Sequence, residues 1–252
     1  MKNTLRIILA LSLTLIMVFS FAACGKNDKD SSEKETTIAS DESNATTDES
    51  SKAGENSQSS SGDLVKAEIV IKDYGTIKLD LYADEAPITV ANFVSLAKSG
   101  FYNGLTFHRI MADFMMQGGD PLGNGTGGSD EDIEGEFSAN GHQNNISHIR
   151  GTIAMARSGS GYEQYLSMGY TLADLPADAQ SDLKRAYNSG SSQFFIVHKD
   201  STFLDGNYAA FGRVTDGMDV VDKVCENAKP TDDNGTIPKG EQPVIETIKI
   251  VE

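Results

Sequence analysis

The stretch FHRIMADFMMQGGD, residues 107–120, places one arginine and one glutamine among apolar side chains. Short runs of aromatic and aliphatic residues at 105–110 and 114–118 predict two β-strands in this part of the chain. Taken alone, such residues have ordinary roles, with Phe114 in a buried core and Arg109 in a salt bridge on a strand. A function for them therefore needs support from the rest of the chain.

Further strands and two helices are predicted on both sides of this stretch. Alternating or apolar segments rich in β-branched residues predict strands at 65–71, 76–82, 151–156, 193–197, 210–214 and 244–251. Apolar residues at helical spacing predict one helix that begins at Pro87 and ends before Gly100, and a second over 219–226. Many short strands with separated helices predict a mainly β fold, a closed antiparallel barrel capped by two helices.

The composition excludes several classes of function. The 252 residues carry 37 acidic and 21 basic side chains, a net charge of -16. Because nucleic-acid binding depends on Lys and Arg that neutralise phosphates, no nucleic-acid partner is expected. Two cysteines without a CxxC pair cannot build a disulfide scaffold or a cysteine zinc site. The four histidines lack paired metal-ligand spacing, and no phosphate loop or GxSxG motif is present, so no metal or cofactor is expected.

The N-terminus has the layout of a secretory signal, because Lys2 and Arg6 precede an apolar run over 7–23. The run ends in Phe21-Ala22-Ala23-Cys24, which resembles the lipobox of bacterial lipoproteins, whose cysteine is lipidated and becomes the mature N-terminus. We therefore predict a signal peptide over 1–23 and lipidation at the cysteine, with ordinary cleavage and an uncleaved helix as alternatives. Each places the domain outside the cytoplasmic membrane, and lipidation would anchor it to the cell membrane.

Residues 24–63 form a Ser/Thr-rich and acidic segment in which Ile38 is the only large aliphatic residue. Such a composition cannot bury enough apolar surface to offset its ordering entropy, so a disordered tether is predicted. The remaining residues, 64–252, suit one domain. Within them, Cys225 lies in an apolar helical pattern and is expected to be a small buried hydrophobe rather than a nucleophile.

The motif FHR, followed by F-M-x-Q-G-G-D at fixed spacing, resembles the cyclophilins, the barrel-shaped peptidyl-prolyl isomerases. Further matches occur in the same order at GTGG (125–128), GEF (135–137), GTIAMA (151–156), SQFFI (192–196), LDG (204–206) and FGRV (211–214). The resemblance covers residues 65–252 apart from one insertion. It implies the family's closed eight-stranded antiparallel barrel with two helices, and catalysis of X-Pro isomerisation.

Prolyl isomerisation requires rotation about a peptide bond whose resonance barrier is about 18–20 kcal/mol. No bond is broken, so it suffices to bind the twisted amide more tightly than either planar form, without nucleophile, metal or cofactor. In the twisted state the prolyl nitrogen regains its lone pair, which a fixed donor can stabilise. The resemblance implies this catalytic role for Arg109, together with Phe114 and Gln117. A structural bridge is the alternative for the glutamine.

The resemblance also implies a set of substrate-binding positions. The apolar proline pocket is matched by Phe114, Met115, Phe195 and Leu204, with Phe203 and Tyr208 at its rim. Ala156 and Arg157 match the stretch whose backbone pairs with the extended peptide. The expected partners are proline-containing peptides and unfolded or exported proteins.

Two departures from the family pattern bear on function. Phe203 stands where many cyclophilins carry Trp, which removes an indole N–H donor and argues against cyclosporin binding, while catalysis should survive. An insertion of about residues 159–190 follows the peptide-binding stretch, and 178–187 within it has a helical pattern. We expect the insertion to border the groove and to restrict or recruit substrates. A surface loop without such a role is the alternative.

The sequence therefore predicts a lipid-anchored, extracytoplasmic prolyl isomerase that accelerates the folding of exported proteins. The alternative is a non-catalytic lipoprotein that holds proline-containing or unfolded segments as a chaperone or scaffold. The intact Arg109, Phe114 and Gln117 favour the enzyme. A solute-binding lipoprotein would share the signal and tether, but the pattern lacks its two alternating α/β lobes.

Overall fold

Eight β-strands form the framework of residues 64–251, the part of the chain that the computed structural model describes. They are β1 (Leu64–Ile71), β2 (Gly75–Tyr82), β3 (Thr106–Met111), β4 (Met115–Asp120), β5 (Thr152–Met155), β6 (Phe194–Val197), β7 (Ala210–Asp216) and β8 (Ile245–Val251). All eight predicted strands are present, and every pairing between them is antiparallel. The predicted signal peptide over 1–23, Cys24 and the tether over 24–63 lie outside these described residues.

The sheet is open between its two edge strands, because the hydrogen-bonded order is β3-β4-β6-β5-β7-β2-β1-β8. The prediction of a closed barrel is therefore wrong for this sheet. The segment before β8 covers the edge of β3 instead. The Phe107 N–H donates to the Pro243 carbonyl (2.9 Å), and the Ile110 N–H donates to the Gly235 carbonyl (2.8 Å). This segment also contains Pro238, and prolines lack the backbone N–H that a continuous ladder needs.

Four α-helices lie among the described residues: α1 (Pro87–Lys98), α2 (Glu163–Ser167), α3 (Ala177–Tyr187) and α4 (Met218–Asn227). The two predicted capping helices are α1 and α4. Pro87 suits the start of α1, since its ring presets the helical φ and its missing N–H is not needed in the first turn. The other two lie in the insertion: α3 corresponds to the helical pattern predicted at 178–187, whereas α2 was not predicted, so the helix count is higher than expected. None of the helices in residues 64–251 is long and apolar enough to span a lipid bilayer.

Alternation along the strands divides the buried side chains between two clusters. On β6, Phe194 packs in the main core, whereas Phe195 belongs to a second, smaller cluster. On β4, Met116 and Met115 divide in the same way. Successive side chains of a strand point to opposite faces, so the smaller cluster lies across the sheet from the main core. This second face is where a binding site can form.

Candidate active site

A pocket of about 130 Å³ lies against the smaller cluster. Nine of the ten residues predicted for catalysis and substrate binding line it: Arg109, Phe114, Met115, Gln117, Ala156, Arg157, Phe195, Leu204 and Tyr208. The tenth, Phe203, is 70% exposed and stacks on Phe114 with ring centroids 5.6 Å apart. Strands β3, β4 and β6, the residues after β5, and the loop before β7 bring these distant positions together.

The charged wall of the pocket is the guanidinium of Arg109 on β3. Its Nε donates to the Asn234 carbonyl (2.8 Å), and its Nη1 donates to Gln117 Oε1 (3.3 Å) across the β3–β4 pair. The guanidinium carbon also lies 5.9 Å from the centre of the Phe114 ring. Burial lowers the pKa of Arg109, and Tyr208 and Asp232 oppose that shift. Arginine remains protonated in proteins, so a fixed positive charge faces the pocket.

No carboxylate forms a salt bridge with Arg109 among residues 64–251. The ordinary salt-bridged arginine that the sequence left open is therefore not what the described residues contain. Its hydrogen bonds to Asn234 and Gln117 fix the guanidinium plane without neutralising it. Its terminal nitrogens otherwise contact only the sulfurs of Met111 (Nη2, 3.3 Å) and Met115 (Nη1, 3.9 Å), which are weak acceptors that a ligand carbonyl can replace.

Gln117 is held from both ends of its amide. Its Oε1 accepts from Arg109, and its Nε2 donates to Gln193 Oε1 (2.9 Å). Gln193 in turn donates through Nε2 to the carbonyls of Gly127 (2.7 Å) and Gly125 (3.2 Å). Gln117 is thus both a neighbour of Arg109, as predicted, and a bridge to a second glutamine. No role is assigned to Gln193 from the sequence alone, although the SQFFI motif contains this residue.

The apolar wall is made by side chains that are almost fully buried: Met115 at 1%, Phe195 at 5% and Leu204 at 7% exposure. Their support comes from two polar residues that the sequence did not single out. His148 stacks behind Phe195 with ring centroids 6.1 Å apart, and its Nδ1 lies 2.8 Å from Asp205 Oδ1. Because Asp205 directly follows Leu204, this contact holds the loop that carries the pocket wall.

Asp205 is tied to the 147–148 segment by three donors. It accepts from the His148 backbone N–H (2.7 Å), from the His148 ring, and from the Ser147 hydroxyl (2.7 Å). Burial raises the pKa of Asp205, but these hydrogen bonds and the His148 charge hold it below its ordinary value. Burial also lowers the pKa of His148, against the opposing effect of Asp205. The carboxylate therefore remains ionised as an acceptor that links the 147–148 segment to the loop carrying Leu204.

Ala156 and Arg157 continue the line of β5 along the pocket. The Ala156 N–H donates to the Gln193 carbonyl (2.9 Å), which joins this residue to the chain before β6. Within residues 64–251, the N–H and carbonyl of Arg157 make no backbone hydrogen bond. In an extended chain they point away from those of Ala156, so they form a free edge of the kind that pairs with an extended peptide. The side chain of Arg157 does not project from this edge, since only 3% of it is exposed.

The described residues give little support to thiol or metal chemistry. Cys225 is buried on α4, as predicted, and burial raises the pKa of its thiol to about 12. A thiol with that pKa is not a nucleophile at neutral pH. Within residues 64–251, no three His, Cys, Asp or Glu side chains are grouped as metal ligands.

Comparison with known proteins gives one consistent family. Residues 66–169 and 177–252 match the family described as cyclophilin type peptidyl-prolyl cis-trans isomerase/CLD. A peptidyl-prolyl cis-trans isomerase of Helicobacter pylori is 39% identical over 152 residues, which cover 60% of this chain and 74% of that protein. Peptidyl-prolyl cis-trans isomerase B of Bacillus subtilis is 37% identical over 150 residues, covering 60% of this chain and 83% of that protein.

Two solved structures of one cyclophilin type isomerase are also similar to this chain. A cyclophilin type peptidyl-prolyl cis-trans isomerase of Cryptosporidium parvum has a TM-score of 0.56 and 26% identity, covering 75% of this chain and 98% of that one. Its structure in the presence of the dipeptide Ala-Pro has a TM-score of 0.55 and 26% identity, covering 74% of this chain and 99% of that one. Family match, relatives and fold agree with the motifs around Arg109, and the chain therefore belongs to the cyclophilin family and is a peptidyl-prolyl cis-trans isomerase.

Proposed function

We propose that Arg109 stabilises the twisted X-Pro bond while the apolar wall of the pocket holds the proline ring. The observation that carries this assignment is a guanidinium that is half-buried beside Phe114, Phe195 and Leu204 and makes no salt bridge among residues 64–251. A charge in such a site acts on a developing lone pair more strongly than it would in water. Because hydrogen bonds to Asn234 and Gln117 already fix the guanidinium plane, the Arg109 side chain needs little reorganisation during the reaction.

Gln117 and Arg157 orient the peptide on either side of the rotating bond in this proposal. The Gln117 amide lies beside the guanidinium, where it can bond the substrate backbone. The free N–H and carbonyl of Arg157 pair with the residue before proline. With one side of the bond held by the pocket and the other by backbone pairing, binding favours the twisted amide over either planar form.

The test is the rate of cis-trans isomerisation of an Ala-Pro test peptide by the full chain. We expect Arg109→Ala to lower kcat/KM by about 100- to 1000-fold, the usual effect of removing a donor that stabilises transition-state charge. Arg185→Ala is the control, since the Arg185 side chain on α3 is 74% exposed. Full activity of the Arg109 variant would refute the mechanism. A folded wild-type chain that binds unfolded protein without isomerase activity would favour the non-catalytic chaperone.

We propose further that the protein is an extracytoplasmic lipoprotein anchored to the cell membrane through Cys24. The lipobox-like end of the apolar N-terminal run supports this. When the full chain is expressed in bacteria with an alkyne-labelled fatty acid, the label should be incorporated and the protein should sediment with membranes. Cys24→Ser should abolish both, whereas Cys225→Ser, which alters the thiol buried on α4, should abolish neither. Equal labelling of the Cys24 variant would refute the anchor.

The clients that we propose are exported proteins whose folding waits on X-Pro bonds. Uncatalysed isomerisation takes about tens to hundreds of seconds, which is slow enough to limit folding. We expect the full chain to accelerate the slow refolding phase of a secreted protein with a native cis-proline, and Arg109→Ala to lose that effect. Equal acceleration by both forms would point to holding of unfolded chains instead of catalysis.

A further inference from the structure

The insertion between β5 and β6 contacts the pocket through the side chain of Arg157. Its Nη1 lies 2.7 Å from Oε1 of Glu163 on α2. The guanidinium carbon also lies 4.9 Å from the ring centre of Tyr187 on α3 and 4.7 Å from that of Tyr208. A third ring, Phe137, is 5.2 Å away. We call these five residues the arginine clamp.

The clamp joins two functionally different parts of the chain. Glu163 and Tyr187 belong to the insertion, whereas Tyr208 lines the proline pocket. The Nε of Arg157 also donates to the carbonyl of Asn207, directly before that tyrosine (2.9 Å). Because only 3% of the Arg157 side chain is exposed, these contacts stabilise its charge in place of water. Removing the carboxylate partner of an arginine buried in this way lowers the stability of the fold, because the charge stays buried without compensation.

Glu163 is itself held by the folding of the insertion. Its Oε1 also accepts from the Ser160 N–H (3.2 Å), and the hydroxyl of that serine donates to Asp182 on α3 (2.6 Å). Near the ends of the insertion, the Ser158 N–H donates to the Ser189 hydroxyl (2.8 Å). These bonds close the insertion on itself and present the carboxylate to Arg157 in one place. A freely moving loop would not do so.

The backbone edge that the clamp holds is the one assigned to substrate pairing. The unpaired N–H and carbonyl of Arg157 lie at the base of the clamped side chain. Ordering a residue's backbone at the moment of binding costs entropy, so an edge that is already fixed binds a peptide more tightly. The hydrogen bonds of Arg109 go to Asn234 and Gln117 and not to Glu163, so removing the Glu163 carboxylate leaves the bonds that fix the Arg109 guanidinium in place.

We propose that Glu163 is a positioning residue for prolyl isomerisation, through which the insertion holds the Arg157 edge and the Tyr208 wall in the peptide-binding arrangement. This inference rests on the proposed function of the pocket. It assigns the insertion to substrate binding rather than to the rotation step. Removing the Glu163 charge should therefore raise KM and leave kcat nearly unchanged.

The experiment measures kcat and KM of the full chain on an Ala-Pro peptide. We expect Glu163→Gln, which keeps an acceptor oxygen, to raise KM about threefold and Glu163→Ala to raise it about tenfold, which is less than the full effect of a hydrogen bond to a charged group because Glu163 acts on the peptide only through Arg157. Both should change kcat less than twofold. Asp178→Asn is the matched control, because it removes a carboxylate from an exposed position of the same insertion. It should leave both constants unchanged.

Two further measurements separate positioning from general damage. Arg157→Ala should raise KM as Glu163→Ala does, and the double variant should be no worse than the single ones, because both act through one contact. Hydrogen exchange at residues 156–158 should be faster in Glu163→Gln, whereas the melting temperature should fall less than in Glu163→Ala, because the amide keeps an acceptor oxygen for the buried guanidinium. A fall in kcat at unchanged KM, fully additive effects, or unchanged KM in Glu163→Ala would overturn the inference.

The same data distinguish a failure of the clamp proposal from a failure of the proposed function. If Arg109→Ala loses activity while the Glu163 variants behave as wild type, the proposed function stands and the clamp has no positioning role. If Arg109→Ala keeps full activity, the mechanism fails. Calorimetric binding of the Ala-Pro peptide then still reports on the clamp, since weaker binding by Glu163→Ala is expected and equal binding would refute it.

Discussion

The contact between Gln193 and Gln117 leads to a specific prediction about catalysis. The Gln193 side chain contacts the proline pocket through another side chain, accepting from Gln117 Nε2 at 2.9 Å. Its own Nε2 is anchored by the carbonyls of Gly125 and Gly127. Replacing Gln193 with alanine therefore leaves Arg109 and the apolar wall in place. It removes the partner that fixes which end of the Gln117 amide faces the guanidinium.

The expected magnitude follows from the number of bonds involved. One neutral hydrogen bond contributes about 1 kcal/mol net, which corresponds to roughly a fivefold change in kcat/KM. We assign the effect on the substrate to the bond with Gln117. The two bonds to Gly125 and Gly127 bear on stability, and their loss should lower the free energy of unfolding by about 1–2 kcal/mol, since both are partly open to solvent.

The assay compares kcat/KM for an Ala-Pro peptide in wild type, Gln193→Ala, Gln117→Ala and the double variant. We expect a fall of about fivefold for Gln193→Ala. In the Gln117→Ala background the same substitution should have no further effect, because the bond through which we expect Gln193 to act has been removed. A single variant within twofold of wild type, or a fully additive double variant, would refute the reasoning. Urea denaturation measures the stability change separately.

Three further predictions concern stability, thiol reactivity and ligand binding. Asp120→Ala should lower the free energy of unfolding by about 2–4 kcal/mol in urea denaturation, because it leaves the backbone N–H groups of Leu122, Asn124 and Gly125 without their acceptor. Burial raises the pKa of Asp120, but these N–H groups hold it below its ordinary value. The carboxylate therefore stabilises the fold above about pH 4, and the difference from the variant should shrink as the pH falls below that. In the Cys24→Ser variant, where it is the only thiol, Cys225 should resist a thiol reagent at pH 8 in the folded chain and react within minutes in denaturant, since burial raises its pKa to about 12; rapid reaction of this native variant would contradict the prediction. Phe203→Trp should strengthen cyclosporin binding at least about tenfold by supplying an indole N–H; calorimetric titration measures both affinities, since the wild-type chain has no Trp for a fluorescence comparison, and equal affinity in wild type and variant would contradict the prediction.

Local patterns predict the strands well because strand formation here depends on neighbouring residues. The hairpin of β1 and β2 turns at Asp73-Tyr74-Gly75, as predicted, with Asp73 and Gly75 at φ 65° and 128°. Aspartate and glycine tolerate these left-handed conformations, so the turn can be recognised from residue type. The helices α1 and α4 follow likewise from apolar residues at helical spacing.

Closure of the sheet could not be predicted in the same way. It depends on whether two edges more than a hundred residues apart meet along a whole strand. The chain before β8 reaches β3 with prolines and isolated backbone bonds, so a continuous ladder between β3 and β8 does not form. A resemblance to barrel proteins contains no information on these particular hydrogen bonds.

The sequence by itself determined the strands, the two capping helices and nine residues that share one pocket, because alternation, turn residues and family motifs are local features of the chain. The tertiary structure alone decided the partners of those residues. It paired Gln117 with Gln193, left Arg109 without a salt bridge among residues 64–251, and turned the Arg157 side chain toward Glu163. Such contacts arise from side chains that meet across long stretches of chain, and their charges and hydrogen bonds are satisfied only where the folded backbone brings them together.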